Sequence, residues 1–352
     1  MEKKLKFFEE CRVVKGYSRS AIYELLRNRY KLIPNSLADL LLTCDGMSVV
    51  QIKKYYENKY DDTIDEYIDF LLENEFVFFT DDFDCFPPLN LEWHSNSKIS
   101  NAVICDNNSE HNYDYLFERL EEYNCRAIQF RFFHKCSKIY LSDIFEKLKH
   151  SRLTLIEVIL PFNSDLDVSD YRDIVLGNMR VSSFYIHSAP KDGVEFVDKE
   201  KLLPLYFSKD KIVDNSFCGF IHPRNFRVSM GMFCESQGNN SCLNRKLSID
   251  EKGKVKNCPS MTNSFGVLND KELDKIVEDD LFKYWWTKNK SIIQVCRDCE
   301  FRFMCLDCRA YIVDDNDVLS MPRKCGYNPY VAKWAGQDGF VSVESWLQKN
   351  GS

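Results

Sequence analysis

Nine of the 15 cysteines in this 352-residue chain fall between Cys218 and Cys325, and most of those keep spacings that suit metal ligation. Ten residues separate Cys242 from Gly253 and four separate Gly253 from Cys258; then come Cys296-x2-Cys299-x5-Cys305-x2-Cys308 and, last, Cys325. Two thiols two residues apart on a tight loop can point both sulfurs at one metal centre, and a hairpin glycine lets Cys242 and Cys258 approach across adjacent strands. With Cys234 the clustered thiols number eight, enough for two four-thiolate sites. On spacing alone tetrahedral zinc and 4Fe-4S clusters compete equally for them, both being soft-ligand chemistry. Packing without metal gives no reason for C-x2-C-x5-C-x2-C. Cys11, Cys44, Cys85, Cys105, Cys125 and Cys136 stand singly among apolar neighbours and read as small core residues. Cys218, with no partner at ligand spacing, reads the same way.

The length predicts two or three domains. No run reaches the roughly 18 apolar residues of a membrane span, and the start, MEKKLKFFEECRVVKG, lacks the pattern of a secretory signal. The expectation is a cytoplasmic protein with no membrane partner, in a reducing compartment where thiols stay free or bind metal. A net charge of -7 argues against a general nucleic-acid binder, which needs lysine and arginine to displace counterions from phosphates. Between Lys59 and Lys98 there is no lysine or arginine, while acidic residues run from Asp61 to Glu92. Such a run is a solvated face or a docking surface for a basic peptide. There is no phosphate loop and no spacing of a catalytic triad, so no catalytic residue is assigned. His187 and His222 fall near strand ends, where ligands bind in open parallel sheets, though lone histidines there are more often structural. Tyr284, Trp285 and Trp286 are expected to wrap the cysteine region as apolar cover.

The elements that must hold these residues fall into three stretches. The first opens with short strands, FFEECRVVKG, SAIYELLR and YKLI, followed by helices. SLADLLLTC begins after Pro34-Asn35, and Ser48 with Gln51 and Thr63 with Glu66 form capping-box patterns opening two more. FVFF closes this stretch before Phe86-Pro87-Pro88, and residues 1–90 read as a small winged-helix-like domain. Over residues 91–225, NAVIC, CRAIQFRFF, LTLIEVILPF and VSSFYIHSA alternate with amphipathic helices, the pattern of buried parallel strands with crossover helices. Four such units predict an incomplete (β/α) barrel or an open parallel sheet, not a full eight-fold barrel. Residues 226–352 are irregular and cysteine-rich: FRVSMGMF reads as a strand, KLSID and VKNC as a hairpin turning at Lys252-Gly253, and DKELDKIVEDDLFKYWW as a helix. The fold class is therefore α/β with a cysteine-rich C-terminal domain.

This C-terminal third resembles the SPASM domain, whose signature is C-x(9-15)-G-x4-C, then C-x2-C-x5-C-x3-C, then a last cysteine, and which carries two auxiliary 4Fe-4S clusters in radical-SAM enzymes that modify peptides. IDEKGKVKNCPS, FGVLND, LFKYWW and CRDCEFRFMCLDCRA carry the likeness across about residues 226–330; the departure is that Cys305 and Cys308 are two residues apart rather than three. The resemblance implies that Cys234, Cys242, Cys258 and Cys308 hold one cluster and that Cys296, Cys299, Cys305 and Cys325 hold the other. A radical-SAM enzyme also needs C-x3-C-x2-C just past the first barrel strand. Here NAVIC is followed by DNNSEHNYDY, and no three cysteines take that spacing.

That combination, with the opening CRVVKGYSRSAIYELLRNRYKLIPNSLADLL, is similar to the SPASM-domain peptide maturases of grasp-with-spasm systems. Such proteins are encoded beside an ATP-grasp ligase and a precursor peptide whose side chains become crosslinked. The resemblance implies a leader-peptide recognition domain at the N-terminus, binding by strand addition. Tyr30 and Leu32 on the third strand, with Tyr67, Phe70 and Leu71 on the third helix, are the candidate peptide-binding residues. Three functions follow as expectations: an accessory maturation factor that binds the leader and carries two 4Fe-4S clusters without S-adenosylmethionine cleavage; a redox or Lewis-acid enzyme using an auxiliary cluster; and a zinc-stabilised peptide-binding protein.

Overall fold

The computed structural model describes residues 2–197, 203–268 and 273–350. Its N-terminal stretch contains β1 (Lys4–Phe7), β2 (Cys11–Lys15), β3 (Ser20–Glu24), β4 (Arg29–Ile33), α1 (Asn35–Cys44), α2 (Val49–Tyr55), α3 (Asp61–Glu73) and β5 (Val77–Thr80). β2, β3 and β4 form an antiparallel sheet in that order, and β1 pairs with β5. The Ser48–Gln51 capping box opens α2 as expected. Thr63 and Glu66 do not cap: α3 already begins at Asp61, whose acidic first turn suits the positive end of the helix dipole.

Every residue of β3 is buried, because this sheet is covered on both faces. Side chains alternate between faces along a strand. Ile22 and Ile33 pack with Leu37, Leu41, Ile68 and Leu71 of the helices. Val14, Ala21 and Tyr23 turn the other way, into a core shared with Phe233, Phe301, Met304 and Tyr327 of the cysteine-rich region. The two ends of the chain are thus one packed body.

β6 (Asn101–Asp106), α4 (Tyr113–Glu122), β7 (Ala127–Phe132), α5 (Lys138–Lys147), β8 (Leu155–Pro161), α6 (Val168–Gly177) and β9 (Val181–His187) follow, then β10 (Gly193–Phe196) and β11 (Pro204–Phe207). Among the described residues the main sheet has eight strands, whose order also takes in β12 (Lys246–Ile249) and β13 (Val255–Lys256): β10-β11-β9-β8-β7-β6-β12-β13. β11, β9, β8, β7, β6 and β12 run parallel. The four expected units are present, and two further parallel strands extend them. β11 follows a long connection and β12 comes from the cysteine-rich hairpin, so neither showed the strand-helix rhythm. The sheet stays open, and one of its faces is packed by α4, α5 and α6 around Ile104, Phe130, Val158 and Phe184. The opposite face carries the odd-numbered residues Gln129, Arg131, Glu157, Ser183 and Tyr185.

In the last stretch, FRVSMGMF is not a strand. Ser229 accepts a hydrogen bond from the Met232 amide (3.3 Å) and starts α7 (Met230–Gly238), overriding the alternation of apolar residues. The expected long helix is broken into α8 (Leu273–Glu278) and α9 (Asp280–Lys283), where the Asp279 carboxylate caps the Leu281 amide at 2.8 Å. Its first residues, Asp270–Glu272, lie outside the described residues. β14 (Tyr327–Asn328), β15 (Lys333–Trp334) and α10 (Val343–Asn350) complete the fold.

The N-terminal sheet and the cysteine loop meet most closely at Gly16, where a Cβ would stand 2.5 Å from the Arg19 carbonyl oxygen and 2.8 Å from the Glu300 amide nitrogen. Backbone on both sides cannot give way. Gly16→Ala is therefore expected to cost about 1–3 kcal/mol in urea unfolding, whereas Gly177→Ala, with open space around its Cβ, should be neutral or stabilising. Equal midpoints for the two variants would show that the contact is not tight.

Candidate functional site

Cys296, Cys299, Cys305 and Cys325 lie within electrostatic reach of one another. Burial pushes Cys296 up to about 11 and Cys305 up to about 12, and the charge of Cys325 adds to both. Burial also raises Cys299, with Cys296 and Cys325 contributing. The cation facing this group is Lys290, buried, with its ammonium 3.9 Å from Cys296 Sγ and 3.5 Å from Asp307. Burial disfavours the Lys290 charge, but Asp307, Cys296 and Cys305 more than offset it and hold it protonated. Asp307 is in turn fixed by Arg309 at 2.8 Å.

The other group, first in chain order, forms around Lys246; the Cys296, Cys299, Cys305 and Cys325 group is the second. Its ammonium donates to Cys242 Sγ at 3.3 Å, and among the described residues no carboxylate lies at ion-pair distance from it. Burial opposes its charge, while Cys242, Cys258 and Cys218 hold it above the ordinary lysine value. Burial raises Cys258, which also feels Cys242 and Cys218; burial pushes Cys308 up to about 11, with Cys242 and Cys258 adding to it. β12 and β13 bring Cys242 and Cys258 together as the hairpin spacing predicts. Trp285 packs over both with Leu243 and Met261, so this tryptophan does cover thiols. Trp286 instead joins the core of the main sheet, and Tyr284 is exposed beside Lys288.

Cys234, expected with this group, sits buried on α7, where burial raises its thiol and Arg12 lowers it. Cys218, expected as a core residue, is only partly buried and belongs to the group. No local spacing marks it, because it arrives on a separate loop after β11.

Among the described residues no group of three or more His, Cys, Asp or Glu side chains is arranged to hold a metal ion. The donor chemistry nevertheless fits a soft, net-negative centre: two groups of thiols, each facing a buried lysine whose pKa is raised, Lys290 by Asp307 and thiols and Lys246 by thiols. Past β6, where C-x3-C-x2-C would stand, the protein builds a knot of its own. The wholly buried Asp106 carboxylate accepts from Tyr113 Oη (2.5 Å), Tyr140 Oη (2.6 Å) and the Ser109 amide (3.0 Å), with His134 Nδ1 at 3.6 Å. Burial and the Asp106 charge raise both tyrosines, which stay protonated donors.

The candidate peptide-binding residues divide. β4 is an edge strand; Arg29 donates to the Asn74 carbonyl just past α3 at 3.2 Å, and Ser36 Oγ at the start of α1 meets Tyr67 Oη of α3 at 2.7 Å. Leu32 is exposed on that strand. Tyr67 lines a groove of about 420 Å³ with Leu40, Tyr56, Tyr60 and Ile64. Phe70 packs on Phe76, and Leu71 is wholly buried, so Leu71 cannot touch a docked chain. Tyr30 faces Phe301, 5.9 Å between ring centroids, and serves the interface with the cysteine loop. His187 is buried and its pKa is lowered by burial; His222 caps the Arg224 amide. Neither approaches a ligand group.

No family model matches the chain, and no curated protein matches it. Among solved structures, SuiB of Streptococcus suis bound to S-adenosylmethionine aligns with 10% identity over 90% of this chain and 98% of that one, at a TM-score of 0.33. SuiB bound to its precursor peptide SuiA aligns with 9% identity over the same shares, at a TM-score of 0.31. Among the described residues no helix is long and apolar enough to cross a membrane.

Burial pushes Cys105 and Cys125 up to about 12. Their neutral form thus favours the folded state below the ordinary thiol value of 9.0, and that contribution fades as pH rises toward 12. With iodoacetamide at pH 8, exposed Cys85 should be alkylated well before either in the folded protein. Reaction of all three at one rate, read by peptide mass spectrometry, would contradict this burial.

Proposed function

We propose that this chain is a maturation factor for a ribosomally made peptide: it binds the precursor's leader at its N-terminal edge strand, carries two auxiliary 4Fe-4S clusters, and works beside an ATP-grasp ligase that crosslinks the peptide. The observation that carries this reading is the shared core in which the leader-facing sheet packs, through Tyr23 and Tyr30, on Phe301 between Cys299 and Cys305. A peptide paired with β4 would extend the same sheet that packs on the loop carrying Cys299 and Cys305.

The recognition chemistry is that of strand addition. An extended leader pairs its backbone with the open edge of β4, while side chains reach Leu32 and the groove beside Tyr67. Asp62, Asp65, Glu66 and Asp69 line the exposed side of α3 and favour a leader with lysines. Lys53 pairs with Asp65 there at 2.6 Å, a surface pair worth about 0–1 kcal/mol, too little to hold that face closed.

Cys296, Cys299, Cys305 and Cys325 would hold one cluster, and Cys242, Cys258 and Cys308 with a fourth thiol the other. Such clusters supply electron transfer when bound. Lys246 and Lys290 compensate thiolate charge, and Trp285 keeps water from the first group. Full thiolate ligation leaves no iron open, which favours a structural or relay role over catalysis. The knot around Asp106 in place of C-x3-C-x2-C accords with no cleavage of S-adenosylmethionine.

Calorimetric titration of the full chain with a lysine-bearing leader of its cognate precursor tests this. Binding should weaken as salt rises, and Leu32→Asp should weaken it about tenfold, or about 1.4 kcal/mol. Absence of heat at all salt concentrations, or unchanged affinity in the variant, would contradict the edge-strand site.

A further inference from the structure

The fourth thiol of the first group is open in the function just proposed, and the cysteine expected there sits on α7. The neighbours of Asn215–Gly219 decide it. The Asn215 carbonyl accepts from Ser260 Oγ and from Tyr311 Oη, both at 3.3 Å. Ser260 follows Cys258 by two residues and Tyr311 follows Cys308 by three, so this loop is tied to both ligand turns. Lys324, next to Cys325, donates to the carbonyls of Ser216 (2.5 Å) and Cys218 (2.8 Å). Ile221 then bridges to Cys325.

Gly219 shows how close the approach is. Its φ is +86°, and a Cβ there would stand 2.8 Å from Cys308 Sγ. Only glycine lets the backbone beside Cys218 come against that sulfur. Cys234, by contrast, sits on α7 beside Phe233, which packs on Tyr23 at 5.8 Å in the core shared with the N-terminal sheet.

We propose that Cys218, not Cys234, is the fourth thiolate of the metal centre formed by Cys242, Cys258 and Cys308. The surroundings suit a thiolate. The Arg131 guanidinium lies 3.9 Å from Cys218 Sγ and is oriented by Asn215 Oδ1 and Gln129 Oε1, both at 2.7 Å. A second consequence concerns the polar face of the main sheet. Phe217 and Phe220, flanking Cys218, line a cavity of about 670 Å³ with Gln129, Glu157 and Tyr185. A centre held by Cys218 therefore forms at the wall of that cavity, whereas one held by Cys234 would not.

The assignment rests on the two-centre function, and the test separates the two. Full-length wild type, Cys218→Ser, Cys234→Ser and Cys308→Ser are reconstituted anaerobically with iron and sulfide, and separately with zinc. Iron, sulfide and zinc per chain and the electron paramagnetic resonance spectrum of the reduced protein are compared. The expected result is that Cys218→Ser and Cys308→Ser change the spectrum and lower the metal content alike, while Cys234→Ser matches wild type. Loss in Cys234→Ser with wild-type behaviour in Cys218→Ser overturns the assignment. Zinc without sulfide in wild type overturns the cluster function yet supports Cys218 if the variants still rank this way; wild type that takes up neither overturns both. In unsubstituted protein, loading should also protect Cys218 from alkylation, and an unprotected Cys218 contradicts the proposal without any variant having to fold.

Discussion

The structure depends most on the buried carboxylate of Glu300. It stands between Cys299 and Phe301, and its Oε1 accepts from Arg19 Nε at 2.6 Å and from Tyr327 Oη at 2.5 Å. Its own carbonyl takes the Tyr23 hydroxyl at 2.6 Å. A buried charge is costly unless paired, and removing one partner from such a pair typically costs about 3–5 kcal/mol. Arg19 can serve here only if the turn between β2 and β3 lies flat on the loop, which is why Gly16 has no room for a side chain. One carboxylate thus fixes the distance between the N-terminal sheet and the second thiol group.

The same logic of paired charge organises both thiol groups. Lys290 and Lys246 would be poor tenants of a protein interior by themselves; Asp307 first, then Cys296 and Cys305, raise Lys290, and Cys242, Cys258 and Cys218 raise Lys246. The polar face of the main sheet extends the pattern: Glu157 accepts from Gln129 at 2.9 Å, Gln129 from Arg131, and Arg131 reaches Cys218. A chain of oriented polar groups therefore runs from the cavity to the first thiol group.

Much of this was legible in the sequence, and for physical reasons. The β6–β9 rhythm came through because period-2 and period-3.6 patterns alternate there without interruption. The tight loops of Cys296, Cys299, Cys305 and Cys308 carry their geometry in short spacings. What was hidden depends on distant pairings. The turn of Cys218 and Gly219 meets Cys308 across the fold, so local spacing could not flag it, and Cys234 was expected from resemblance. Tyr30 looks like a surface aromatic on an edge strand until Phe301 arrives from the far end of the chain. α7 was missed because Ser229 caps a segment whose apolar residues also alternate.

If the Glu300 contact makes sheet and cysteine loop one cooperative body, filling the thiol sites must be felt in the sheet. Hydrogen exchange of the β3 amides, Ser20–Glu24, measured in metal-free and in iron-sulfide-loaded protein, tests this directly. Slower exchange across β3 on loading is the predicted result. Protection confined to residues 218–325, with β3 unchanged, would contradict it.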